Sequence, residues 1–95
     1  MNRVRFSEFA LRDLQGIAVY VSNESETLAK HVINNLEGFC YVLSIMPELG
    51  RPSEIAGVRK LITPRYRYKI IYEIHSTRKE IVILRIYHDT QRTPY

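Results

Sequence analysis

The stretch Tyr66–His88, "YRYKIIYEIHSTRKEIVILRIYH", decides the fold, because its apolar residues recur at every second position rather than every third or fourth. Tyr66, Tyr68, Ile70, Tyr72 and Ile74 fall on one face of an extended segment, and Arg67, Lys69, Ile71, Glu73 and His75 on the other. "HSTRKE" reads as a polar hairpin turn. "IVILRIYH" is β-branched and at first apolar on both faces, as a central strand is. Immediately upstream, Val58–Thr63 reads as a further strand that Pro64 breaks. Before it, "PELGRPSEIAG" (residues 47–57) holds two prolines and two glycines without a lasting period, so it reads as a loop.

The first half of the chain has a different rhythm. Asn2 to Phe6 alternates, with Val4 and Phe6 opposite Arg3 and Arg5, as in a short half-exposed strand. Ser7 offers a helix N-cap, and Ala10, Leu14, Ile17, Ala18 and Val21 then recur at helical spacing to about Val21. "VSNESE" interrupts them, and Asn23 with Glu26 three positions later resembles a capping box. The second helix carries Ala29, Val32, Ile33, Leu36, Cys40, Leu43 and Met46 on one face until Pro47 forbids continuation. So short a link predicts an antiparallel helical hairpin. The expected architecture is a single α+β domain over residues 1–95: an N-terminal strand, the hairpin, then three strands in an antiparallel sheet.

With 95 residues the chain has room for one modest core, so any site must lie on its surface. No apolar run reaches the roughly 20 residues that span a bilayer, and "MNRVRFSE" lacks an apolar signal segment, so a cytoplasmic location without membrane contact is expected. The lone Cys40 has no partner for a disulfide or thiolate metal site and reads as a small buried hydrophobe. Charge is unevenly spread. Residues 1–50 hold 4 basic and 6 acidic side chains, whereas residues 51–95 hold 10 and 4. Such a half attracts a polyanion or an acidic protein segment, or is simply solvated.

Several residues are candidates for chemistry. Arg67, between two tyrosines on an expected strand, suits a phosphate or a phosphoryl transition state, or else snorkels to solvent. His88 ends the last strand, where a near-neutral imidazole serves as general acid or base toward a ribose hydroxyl. Alternation places it with Val82, Leu84 and Ile86, however, which fits a half-buried histidine bonded to backbone. Arg92 and Tyr95 lie in the tail, suited to a phosphate contact and a stacked base, or mobile. His31 and His75 are spaced unlike metal ligands, and no Gly-rich phosphate loop, nucleophile elbow or paired carboxylates occur.

Taken together, "SEFALRDLQGIAVYV", "SIMPELGRP", "IAGVRKL", "YRYKIIYEI" and "ILRIYHDTQRTP" give the chain a resemblance, over nearly its whole length, to toxins of the RelE/ParE superfamily from bacterial type II toxin–antitoxin modules. The resemblance implies a compact cytoplasmic toxin with no cofactor and no metal, wrapped by a cognate antitoxin into a hetero-oligomer. RelE-like members cleave messenger RNA on the ribosome, and those roles would fall on Arg67, His88 and Tyr95, with Arg92 assisting. ParE-like members keep the fold and inhibit DNA gyrase. The lysine track of RelE-like toxins is reduced here to Lys60 and Lys69, so a ParE-like gyrase inhibitor is the expectation, with an RNA-cleaving toxin as the alternative and a non-toxic nucleic-acid-binding module behind both. Target or nucleic-acid contacts are expected from Arg59, Lys60, Arg65, Lys69, Arg85 and Arg92.

Overall fold

The computed structural model describes residues 1–95. Strand β1 (Arg3–Phe6) leads into helices α1 (Glu8–Ser22) and α2 (Glu26–Ile45), followed by β2 (Arg51–Pro52), β3 (Val58–Ile62), β4 (Tyr68–His75) and β5 (Glu80–His88). The five strands form one sheet in the order β1-β5-β4-β3-β2. The expected three-stranded antiparallel unit is β3, β4 and β5. β1 joins it in parallel with β5, so the sheet is mixed. Alternation in a four-residue strand says which side chains share a face but nothing about the direction of the neighbour.

The sequence loop also contains β2, whose two residues pair with Lys60 and Arg59 at the sheet edge. There a proline is tolerated because its missing N–H would point to solvent. The turn before β2 is anchored from beneath. The Tyr72 hydroxyl donates to the Pro47 carbonyl (2.6 Å) and accepts from the Gly50 N–H (3.0 Å), while Arg59 Nη2 donates to the Gly50 carbonyl (2.6 Å). Gly50 must be glycine for reasons of space, since a Cβ would lie 2.7 Å from both the Lys60 carbonyl oxygen and the Tyr72 hydroxyl.

Ser7 caps α1 as expected, accepting from the Ala10 N–H at 3.0 Å. The cap of α2 is Ser25, which accepts from the Leu28 N–H, and not Asn23, which instead closes the C-terminus of α1. Both residues are good cap formers, and the hydroxyl nearest the start of the long helix takes the role. The helices pack on one face of the sheet. Ala10 and Val21 of α1, with Ala29, Val32, Leu36, Cys40 and Leu43 of α2, meet Tyr68, Ile70, Tyr72, Ile81, Ile83 and Ile86 in one buried cluster. Met46, expected on that face, is 53% exposed, because the helix ends before it. Ile33 is half-buried.

The last strand departs from simple alternation. Ile71 of β4 pairs with Arg85 but Tyr72 pairs with Ile83, so Leu84 is an extra residue, a β-bulge. Beyond it the side chains of β5 exchange faces relative to the preceding run. His88 therefore shares the helix-covered face with Ile81, Ile83 and Ile86, and not with Val82 and Leu84 as alternation suggests.

Leu36→Ala and Leu43→Ala, each at a fully buried position, are expected to cost about 2–5 kcal/mol in urea unfolding. Burial, aided by Glu37, pushes the Cys40 thiol from an ordinary value of 9.0 up to about 12. The unfolded thiol ionises first, so its contribution to stability is full below pH 9.0 and falls as pH rises toward 12. At neutral pH iodoacetamide should label Cys40 only in denaturant, which mass spectrometry reads directly.

A clamped bulge, a divided basic surface and a donor-lined cleft

The bulge is held by the start of the chain. Ser7 Oγ donates to the Leu84 carbonyl (2.7 Å) and the Ser7 N–H to the Ile83 carbonyl (2.9 Å), at the point where β1 ends. Nearly two turns further along α1, the Asp13 carboxylate accepts from Arg85 Nε (2.8 Å), Arg85 Nη2 (3.0 Å) and the Ile86 N–H (2.9 Å). Asp13 thus replaces the strand partner that β1 no longer supplies. The Asp13 hydrogen bond holds the Arg85 guanidinium above its ordinary value, and the guanidinium stacks over the Tyr87 ring at 4.7 Å.

Downstream of the clamp, His88 lies edge to face on Tyr68, with ring centroids 5.3 Å apart. Its Nδ1 accepts from the Thr90 N–H (3.3 Å) and the Thr90 hydroxyl is 2.8 Å away. Nδ1 is thus engaged by Thr90, while Nε2 makes no hydrogen bond within the chain.

Arg67 is not on a strand. It occupies the turn before β4 with φ 58°, a left-handed conformation, and its guanidinium donates to Asp89 Oδ2 at 2.6 Å. The other Asp89 oxygen is 3.6 Å from His88 Nδ1. Arg67 and His88 are therefore brought together, but with a carboxylate between them.

The remaining predicted residues are dispersed. Lys60 and Lys69 point to the sheet face away from the helices, in register with Ile71 and Tyr87. The tail returns across that face: Lys69 Nζ donates to the Gln91 carbonyl (2.9 Å) and Lys60 Nζ to the Tyr95 carbonyl (3.3 Å). Arg59 is engaged on the Gly50 and Glu48 carbonyls. Arg65 is exposed beside the Tyr66 ring (5.5 Å), and Arg92 is exposed in the tail.

On the helix side, a cleft of ≈ 590 Å³ separates α1 from the ends of β4 and β5. Arg12, Gly16, Ile17, Tyr20, Tyr68 and His88 are among the residues that line it. Burial, then the nearby Tyr20 phenol, raises the Tyr68 phenol above its ordinary value, so it is a protonated donor at neutral pH. Sequence reading passed over Arg12, Asp13, Tyr20 and Tyr68 as functional positions. The polar face of α1 was legible, but nothing in the chain links Asp13 to a backbone N–H 73 residues later.

A mixed sheet under an antiparallel helix pair is the architecture of several solved bacterial toxins. The chain is similar to a structure of the chromosomal ParDE toxin–antitoxin system of P. aeruginosa at 28% identity and a TM-score of 0.78, over 93% of this chain and 96% of that one. It also resembles a chain of the RelBE2 toxin–antitoxin complex of Mycobacterium tuberculosis, at 28% identity and a TM-score of 0.68 over 92% and 96% of the two chains. The fold is shared with the intact E. coli RelBE complex at 12% identity, with a TM-score of 0.69 over 97% and 100%. No curated protein matches by sequence. These likenesses define the class, a RelE/ParE-superfamily toxin. Within it, residues 4–93 match the family described as the ParE toxin of the type II toxin–antitoxin system parDE, and the chain belongs to that family.

Asp13→Ala leaves the Arg85 guanidinium and the Ile86 N–H without their acceptor, which is expected to cost roughly 1–3 kcal/mol in chemical denaturation. Asp13→Asn should recover part of that loss, because an amide oxygen still accepts one bond.

Proposed function

We propose that this toxin acts by gripping a protein target, DNA gyrase, and that a cognate antitoxin neutralises it in a hetero-oligomer. The observation that carries the reading is Asp89. A phosphoryl-transfer site needs the imidazole and the guanidinium to converge on a phosphate. Here a carboxylate already sits between Arg67 and His88, 2.6 Å from the one and 3.6 Å from the other, with its charge set against any phosphate. The two lysines of the expected track lie on the opposite face of the sheet, engaged with the tail carbonyls. That leaves the RelE-like set of Arg67, His88 and Tyr95 without a common focus.

Binding has better support. The second half of the chain holds 10 basic and 4 acidic side chains, a field that steers an acidic partner from a distance. Helix α1 exposes Phe9, Leu11, Val19 and Tyr20, large apolar side chains that a wrapping antitoxin would cover. Such a segment loses conformational entropy when it orders, but covers much surface.

Co-expression with the small gene beside it should yield a stable complex that weakens as salt rises, read by gel filtration at several ionic strengths. Induced alone, the wild-type toxin should inhibit gyrase supercoiling and leave ribosome-bound messenger RNA intact. Messenger RNA cleavage that vanishes in both His88→Ala and Arg67→Ala, with supercoiling untouched, would replace this reading with the nuclease.

A further inference from the structure

The cleft between α1 and the ends of β4 and β5 has an unusual balance of hydrogen-bonding groups. Its one carboxylate, Asp13, already accepts three bonds from Arg85 and the Ile86 N–H. Gln91 Oε1 accepts from the His88 N–H, and His88 Nδ1 is occupied by Thr90. What remains without a partner in the chain is the Arg12 guanidinium, whose contact is the Phe9 ring at 5.9 Å, the Tyr20 and Tyr68 hydroxyls, and His88 Nε2. Between them lie Ile17, the tyrosine rings and Gly16, where an added Cβ would meet nothing within 4 Å.

We infer that this cleft is an anchor site for a protein segment that presents a carboxylate beside an apolar side chain, the carboxylate meeting Arg12, Tyr20, Tyr68 and His88. An occupant that pairs with the Arg12 guanidinium must bring an acceptor, and the two phenol hydroxyls can donate to the same group. A phosphodiester chain is the poorer fit, because each added nucleotide brings another full charge and the cleft has one uncommitted permanent cation, Arg12. Arg85, the other arginine at the cleft, is neutralised by Asp13. A single carboxylate matches a single guanidinium, and the apolar wall suits the adjacent side chain of a peptide. The occupant is a segment of the antitoxin, so the inference rests on the antitoxin reading above.

The test uses the toxin separated from its complex with the product of the adjacent gene and retitrated with that antitoxin by calorimetry. Arg12→Ala and the double variant Tyr20→Phe/Tyr68→Phe should each weaken binding by about tenfold or more, whereas Arg3→Ala, on β1 outside the cleft, should not. Arg12 makes no hydrogen bond or ion pair, so its variant should keep the wild-type unfolding midpoint, which separates lost binding from lost fold. Tight binding by wild type with both cleft variants within twofold of it would overturn the inference and leave the antitoxin reading standing. No binding even by wild type would remove both. A fluorescent single-stranded DNA oligonucleotide that binds wild type and is released by Arg12→Ala would overturn the carboxylate assignment in favour of nucleic acid.

Discussion

Asp13 accepting from Arg85 and from the Ile86 N–H, with Ser7 bonded to the Leu84 carbonyl, is the constraint on which the rest of the arrangement depends. These contacts join residues 72 to 77 apart in sequence, so they fix the first helix against the last strand with few short-range alternatives. All are directional, and those to the Asp13 carboxylate are charge-assisted, so that, unlike the apolar contacts beneath them, they select a register as well as a closeness. Because Leu84 bulges where β1 stops, β5 continues with its faces exchanged, and His88 comes to rest against Tyr68 on the helix side. Without the bulge the same histidine would fall on the open face.

That one exchange divides the surface into two regions of different character. The open face of the sheet carries Lys60 and Lys69, yet their ammonium groups are engaged by the carbonyls of Gln91 and Tyr95. Arg67 and Arg85 are each neutralised by a carboxylate, and Arg59 serves the turn before β2. Formal charge therefore overstates the cations free to touch a ligand. Its attraction at a distance survives, because backbone contacts and internal ion pairs do not change the net charge, and it acts within a Debye length of about 10 Å. The cleft on the helix side is the reverse: Arg12, without an ion-pair partner, and the Tyr20 and Tyr68 hydroxyls stand around an apolar wall.

Much of this architecture was legible in the residues. The two-residue period of β4 and β5, the long apolar face of α2 and the stop at Pro47 need no tertiary information, since burial on one face writes itself directly into the spacing. What escaped reading was set at a distance. The parallel pairing of β1, the two-residue β2 and the bulge at Leu84 are each decided by a neighbour far along the chain. Arg67 reads as a strand residue from its flanking tyrosines, yet the turn from Thr63 places it at positive φ, with its N–H bonded to the Thr63 carbonyl. Of the site, His88 and Arg67 were legible as residue types. Their separation by Asp89 was not, because a carboxylate next to a histidine in sequence reveals nothing about which arginine it will hold.

The position of β5 between β1 and β4 has a consequence for synthesis. Both neighbours precede it in the chain, so as residues leave the ribosome in order, every other strand emerges before the one that joins β1 to the rest of the sheet. Until Glu80–His88 emerges, β1 has no partner, β4 is bonded along one edge only, and the Asp13 clamp has nothing to hold. A nascent chain at that stage lacks the finished surface of the toxin. The topology thus delays assembly of the fold until translation of this domain is nearly done.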